Sequence, residues 1–143
     1  MTLTLRWNGV VKGQPRARAT RAGGFVRMYT PGTADAMKTG LAVEAIQQMQ
    51  AQGWWRDYHG PVSVTIWALM VRPKAHFLRG QVRDDAPRRH PHKPDVDNIA
   101  KAVLDALTKA CVWHDDAQVD WILVRRRWAI GDEKPGLIVE VTQ

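Results

Sequence analysis

The sequence predicts an α+β fold: one two-layer domain with a mixed β-sheet, two main helices packed on it, and a long basic flap loop. Several short segments alternate apolar and polar residues, and two longer segments carry apolar residues at helical spacing. Residues 72–93 follow neither period. Since 143 residues is the length of one domain, we expect residues 1–143 to form a single unit.

Five segments are predicted to be strands: 2–7, 25–29, 61–71, 119–128 and 137–142. The segment from Pro61 becomes apolar on both faces, so we expect it to be a central strand. Only a short loop separates the last two strands, which predicts that they pair as an antiparallel hairpin.

Two helices are predicted. The first begins at Thr30-Pro31, buries a stripe that includes Met37 and Met49, and ends at Gly53. The second is capped by Asp97 or Asn98 and ends near Ala110. Its predicted apolar face contains Ile99, Val103, Ala106, Leu107 and Ala110.

Composition narrows the class of protein. The net charge of +7 and the pI of about 10.1 indicate a polyanionic partner, most often nucleic acid. A single cysteine excludes a disulfide framework within the chain and a cysteine-rich zinc site. The first residues do not resemble a signal peptide, and no apolar run reaches the roughly 18 residues of a membrane span. We therefore expect a soluble, cytoplasmic protein that does not contact membranes.

Basic residues concentrate in two segments that are predicted to be loops. The first, residues 11–24, is suited to phosphate contacts, although a solvated surface turn is the alternative. The second, residues 72–93, is predicted to be a DNA-binding flap that is mobile without its partner. Its histidines match no zinc-ligand spacing. The predicted DNA-binding residues are Lys12, Arg16, Arg18, Arg21, Arg79, Arg88, Arg89 and Lys93.

The most informative stretch is acidic. Asp95 and Asp97 precede or open the second helix, Lys101 lies one turn further along it, and Asp115-Asp116 follows the helix. Clustered carboxylates repel one another unless a cation lies between them, and Mg²⁺ prefers oxygen ligands. We therefore interpret Asp95, Asp97, Asp115 and Asp116 as candidate metal ligands, with Lys101 placed to stabilise charge in the transition state of phosphodiester hydrolysis. We expect the short helix and the tight turn after it to return Asp115 and Asp116 to Asp95 and Asp97.

Each acidic feature also has a plain structural interpretation. Asp97 could be only a helix cap, Asp115-Asp116 could be a solvated turn, and Lys101 could simply pair with Asp97 and Asp105. The metal-site hypothesis rests on their coincidence in a basic chain.

The run from Pro94 to Leu107 (PDVDNIAKAVLDAL), followed by Trp113 to Val119 (WHDDAQV), resembles the signature of the RusA family of Holliday junction resolvases. The segment from Lys12 to Arg18 is similar to a basic segment near the start of many members. One departure is Cys111-Val112, which stands where the family often has glycine.

The resemblance implies a small homodimer that resolves four-way DNA junctions in recombination and repair, using Mg²⁺ or Mn²⁺ as a substitute. By motif position, the metal-binding carboxylates would be Asp95, Asp97 and Asp116, with Asp115 in a shared role and Lys101 as the catalytic lysine. Such chains occur in bacterial cells and are commonly phage-encoded. Two alternatives stay open: a non-catalytic basic DNA-binding or architectural protein, and a nuclease of flaps or other branched DNA.

Overall fold

The computed structural model describes residues 1–143, apart from the side chain of Ala22. The elements are β1 (Thr2–Asn8), β2 (Arg18–Ala22), β3 (Phe25–Tyr29), α1 (Asp35–Gln52), β4 (Val62–Met70), β5 (Phe77–Leu78), β6 (Gln81–Val82), α2 (Val96–Lys109), β7 (Val119–Trp128) and β8 (Gly136–Thr142). Two short 3₁₀ turns, Lys74–His76 and Asp116–Gln118, complete the order. The predicted α+β class, with two helices and a mixed sheet, is confirmed.

The main sheet has four strands in the order β1-β8-β4-β7. β8 runs antiparallel to both of its neighbours, whereas β4 and β7 are parallel. The prediction of a central strand is confirmed, because β4 is paired on both sides. The prediction that the last two strands form a hairpin is wrong, since β8 lies between β1 and β4.

The strand sequences explain this order. Leu137, Val139 and Val141 of β8 are fully buried, which suits an interior position. β7 carries the Arg125–Arg127 block, and charged side chains are tolerated best on an edge strand. The chain passes from β4 through α2 to β7, and this crossover places β7 beside β4 as a parallel strand.

Both helices contribute to one core with the sheet. α1 buries Met37, Leu41, Ala45 and Met49, as predicted. α2 buries Ile99, Ala102, Val103, Ala106 and Leu107. The Asp105 carboxylate of α2 joins the two helices by accepting from Lys38 Nζ of α1 at 2.5 Å. Burial raises the pKa of Asp105, but the ammonium groups of Lys38 and Lys109 outweigh it and leave that pKa below its usual value.

The helix starts differ from the prediction. α1 begins at Asp35 rather than at Thr30-Pro31, because the preceding residues form a turn closed by Asp35 N donating to Gly32 O. α2 begins at Val96, so Asp97 lies in its first turn and neither Asp97 nor Asn98 is the cap. The predicted end of α1 at Gly53 is confirmed: Gly53 has a φ of 68° and its N–H donates to Met49 O.

The first basic segment is only partly a loop. Its second half is β2, which pairs with β3 around the turn at Gly23-Gly24. The prediction that all of residues 11–24 form a loop is therefore wrong. The strand has no apolar face to reveal it, since Arg18 to Arg21 are all exposed.

The flap at residues 72–93 contains a 3₁₀ turn and the small β5–β6 hairpin, so the expected lack of secondary structure is wrong. It is also attached to the sheet. Arg72 donates to Ala129 O at 2.6 Å and to Pro87 O at 3.0 Å, and Trp128 N donates to Arg88 O at 3.1 Å. Its mobility stays a prediction. Within residues 1–143, no helix combines the length and apolar character needed to cross a bilayer.

Candidate functional site

A cleft of about 690 Å³ lies where three segments meet: residues 10–18, the end of the flap, and the start of α2. The first segment is held against the helix by Gln14 N, which donates to Asn98 O at 2.8 Å. Gly13 permits this approach, because a Cβ there would stand 2.9 Å from both Asn98 Cβ and Pro94 Cβ. The fold therefore brings the early basic segment to the acidic motif.

Basic side chains surround one acid in this cleft. Lys12, Arg16, Arg18 and Lys93 line it together with Asp95. All five are exposed, so their charges face solvent and any molecule that enters. Four cations around a groove attract a polyanion such as the phosphate backbone of DNA.

Asp95, Asp97 and Lys101 share the amino-terminal end of α2. Asp95 occupies the cap position in extended backbone, yet its carboxylate makes no capping hydrogen bond. Across the described part of the chain, none of the three takes part in an ion pair, because Asp105 pairs with Lys38 and Lys109 instead. The plain interpretations of Asp97 as a cap and of Lys101 as a pairing lysine do not describe this structure.

Asp115 and Asp116 lie at the other end of α2. They precede β7, whose Val119 pairs with Val62 at the amino end of β4, whereas Asp95 shares the cleft with Met70 at the carboxyl end of β4. α2 has 14 residues and is therefore about 21 Å long. The expectation that the helix and its following turn return Asp116 to Asp95 and Asp97 is therefore wrong within one chain.

Asp115 caps the 3₁₀ turn that follows it. Its Oδ1 accepts from Ala117 N at 2.8 Å, and its N–H donates to Gln118 Oε1 at 2.8 Å, which together form a capping box. Asp116 makes no such contact among the described hydrogen bonds and is exposed. The two neighbouring acids thus differ: Asp115 shapes the turn, and Asp116 is presented to solvent.

Arg126 of β7 fixes the chain just before Asp95. Its Nη1 donates to the carbonyl oxygens of His92 and Pro94. Nearby, the buried His90 ring packs edge-on against Trp128 with 4.3 Å between centroids. Burial, followed by the charges of Arg126 and His92, lowers the pKa of His90. The flap therefore ends in a neutral, packed imidazole beside the cleft.

The remaining predicted DNA-binding residues lie outside the cleft. Arg21 is on the β2–β3 hairpin, and Arg79 forms the turn between β5 and β6 with a φ of 50°. Arg88 and Arg89 lie where the flap returns to β7, with Arg89 bridging to Arg127. All four are exposed. They extend the basic surface without touching Asp95.

Three polar residues group together that the sequence did not single out as a set: Asp57, His59 and His114. Their ligand atoms lie within 4.8 Å of one another, and within the residues described they form the one such group of three or more histidine, cysteine or acidic side chains. Tyr58 pairs with Trp113, which brings the loop before β4 to the turn before β7. Nothing in the sequence links two loops 57 residues apart, so only the fold reveals this group.

Comparison with known proteins shows the family to which the chain belongs. A curated relative, the crossover junction endodeoxyribonuclease rusA of Lactococcus phage r1t, is 33% identical over 51 residues. That alignment covers 36% of this chain and only 37% of the relative's length. The sequence profile of the family described as Endodeoxyribonuclease RusA matches residues 8–142. The resemblance first seen in the acidic motif is confirmed, and the chain belongs to the RusA endodeoxyribonuclease family.

Proposed function

We propose that this protein is a metal-dependent, structure-selective endodeoxyribonuclease that resolves four-way DNA junctions by paired symmetric hydrolysis of phosphodiester bonds. One observation carries the proposal: exposed, unpaired carboxylates open α2 at a cleft lined by Lys12, Arg16, Arg18 and Lys93. Such a groove holds the DNA backbone beside acids that can bind a divalent ion. Membership of the RusA family and the name of the phage relative support the same activity.

The residues present suit Mg²⁺, with Mn²⁺ as a substitute. The ion pairs of the described residues engage Asp57, Asp85, Asp105 and Glu133. They leave Asp95, Asp97 and Asp116 without a cationic partner, in a chain where Lys and Arg outnumber Asp and Glu by 21 to 14. Carboxylate oxygens that stay unpaired in a basic protein are suitable ligands for a hard cation. When bound, such an ion activates a water and neutralises charge on the phosphoryl oxygens.

The protein's own side chains divide the remaining work. Lys12, Arg16, Arg18 and Lys93 bind phosphates and orient the backbone across the cleft. Lys101, four residues after Asp97 on α2, is about one helical turn from that carboxylate. Its ammonium group is placed to stabilise the charge that develops on the phosphoryl oxygens in the transition state.

A two-fold homodimer would complete the site. Asp95 and Asp97 are separated from Asp116 by the length of α2, so we propose that the partner subunit's Asp116 joins Asp95 and Asp97 across the interface. Two-fold symmetry generates two equal sites, and two equal sites are what symmetric cutting of a four-way junction requires. Branched DNA is the proposed substrate because a four-way junction offers two phosphodiesters that are related by two-fold symmetry, as the two sites are.

Mixed dimers test this arrangement directly. Asp95→Asn and Asp116→Asn are each expected to abolish cleavage of a synthetic four-way junction in Mg²⁺. The two variants can be co-expressed with different tags and purified as a heterodimer. This heterodimer should regain nicking of the junction, because one of its two shared sites then contains neither substitution. A folded heterodimer that stays inactive would contradict the shared site, since a site built within one subunit gives two defective centres.

A substrate panel separates the remaining possibilities. The distance between the acid pairs within one chain is the observation that favours a non-catalytic DNA-binding protein. Wild-type protein that binds junctions but cuts none with Mg²⁺ or Mn²⁺ would support that alternative. Equal cutting of flaps and junctions would instead indicate a nuclease of branched DNA in general.

A further inference from the structure

We propose that Asp57, His59 and His114 form a second metal site, one that binds a late first-row transition ion such as Zn²⁺ in preference to Mg²⁺. The group lies at the amino end of β4, near the turn that precedes β7. Within one chain it lies at the opposite end of α2 from the basic cleft, and its metal binding does not depend on the proposed nuclease activity.

The three side chains converge on one point. His114 Nδ1 lies 3.1 Å from Asp57 Oδ1, and His59 Nε2 lies 3.4 Å from Asp57 Oδ2. The two imidazole rings stack with 4.6 Å between centroids and 26° between planes. Zinc bonds of about 2.0–2.1 Å in tetrahedral geometry set neighbouring ligand atoms about 3.4 Å apart. Rotation of the two imidazole rings, so that both ring planes contain the same point, would bring the three ligand atoms to the spacing that an ion needs.

The backbone holds the two loops together before any ion binds. Asp57 adopts a φ of 56°, which non-glycine residues rarely take, and its N–H donates to Cys111 O at 2.7 Å. His114 N donates to Tyr58 O at 3.1 Å. Gln118 Nε2 donates to Tyr58 O and Gly60 O at 2.8 and 2.7 Å. Ligands on a cross-linked backbone lose little freedom on binding, which favours affinity.

Ligand chemistry sets the choice of metal. Two imidazoles and one carboxylate suit zinc, cobalt or nickel, whereas Mg²⁺ prefers oxygen donors alone. The side chains are 53–69% exposed, so the remaining coordination positions face solvent. Without an ion, the two histidines share a single carboxylate while their rings stack face to face.

A metal ion bound at this site would also affect the neighbouring acids Asp115 and Asp116. His114 directly precedes Asp115 and Asp116, so an ion bridging it to Asp57 and His59 would fix the start of that turn to the loop before β4. We therefore expect a structural clamp with no reacting group of its own.

Calorimetry with Zn²⁺ on the full chain tests the site. Wild-type protein is expected to bind one Zn²⁺ per subunit and to melt at a higher temperature with Zn²⁺ present. His59→Asn and His114→Asn should each lose both effects. Asp95→Asn and His92→Gln are the matched controls and should keep them, because one removes a cleft acid and the other an exposed histidine of the flap.

Cobalt provides a second readout that does not rely on stability. Co²⁺ bound to imidazoles and a carboxylate at low coordination number gives visible absorption, which His59→Asn should remove. Equal Zn²⁺ binding by His59→Asn, or loss of binding in His92→Gln, would overturn the proposal in favour of unspecific imidazole binding. A wild-type response to Mg²⁺ but none to Zn²⁺ or Co²⁺ would overturn it in favour of a simple aspartate–histidine contact.

Discussion

At the scale of single residues, Cys111 occupies a backbone conformation that suits glycine. Its φ is 59°, and it makes the turn between α2 and the segment that carries Asp115 and Asp116. A left-handed conformation costs a residue with a Cβ roughly 1–2 kcal/mol. The resemblance to the RusA family implied a glycine near Cys111-Val112, and a φ of 59° is a physical reason to expect one at Cys111.

Cys111→Gly is therefore expected to stabilise the protein. Relief of the backbone strain is partly offset by the roughly 0.5–1 kcal/mol entropic cost of glycine, which leaves a net gain of about 0.5–1 kcal/mol. Urea denaturation measures the change. Cys111→Ala is the control, because it removes the thiol and keeps the Cβ; an equal gain in both variants would attribute the effect to the thiol rather than to φ.

Glu133 is a second residue with a measurable effect. Its carboxylate accepts from Arg127 at 2.6 and 2.7 Å and from Ile130 N at 2.8 Å. The Arg127 hydrogen bonds lower the pKa of Glu133 to about 2, from 4.5. A depressed carboxyl pKa stabilises the folded state above the unfolded value and loses that contribution as the pH falls.

We expect Glu133→Gln to be less stable than the wild type at neutral pH. The difference should shrink between pH 4.5 and about 2, where the folded carboxylate takes up its proton. Thermal melts across that range measure it. A constant difference at every pH would mean that the side chain contributes by packing instead of by charge.

At the scale of elements, the two basic segments occupy different places relative to the acids. Arg16 and Arg18 line the cleft with Asp95, whereas Arg88 and Arg89 lie on the flap where it meets β7. Phosphate contacts near the acids position the DNA strand that is to be cut. Distant phosphate contacts add affinity but do not align that strand with the acids.

Replacing Arg16 and Arg18 with alanine should reduce junction binding and flatten its salt dependence by about one unit of slope for each phosphate that is no longer bound. The matched pair Arg88→Ala and Arg89→Ala should also reduce the slope, but leave single-turnover cleavage of fully bound junction closer to the wild type. Binding titrations at several salt concentrations, followed by single-turnover assays, measure both. Slopes that do not change would place the substituted arginines away from DNA.

Most of the elements that sequence patterns predicted have side chains sorted by burial; β3 is the exception, because its apolar and aromatic residues marked it although all are exposed. α1, α2, β1 and β4 each have a distinct apolar face, and each was predicted. β2 was missed because both of its faces contact solvent, so no alternation marks it. The β5–β6 hairpin was missed because two-residue strands are too short to show a period.

At the scale of the whole molecule, strand order and the placement of the acids depend on contacts distant in sequence. The position of β8 between β1 and β4 depends on pairings across more than 60 residues, which local spacing does not encode. The sequence pattern predicted that α2 and the turn after it would return Asp116 to Asp95 and Asp97, whereas the length of α2 separates them within one chain. The set of site residues therefore stays a prediction, and their separation along α2 is a feature that the sequence did not predict.

The place of β8 in the sheet also bears on how the protein is made. Residues 136–142 hydrogen-bond on both sides, so they fill the middle of the sheet although both of their neighbours precede them in the chain. Until they leave the ribosome, the facing edges of β1 and β4 have no partner. From the time β4 emerges until β8 follows it, the nascent chain therefore carries two open strand edges, and this part of the sheet can close only after Thr142 has emerged.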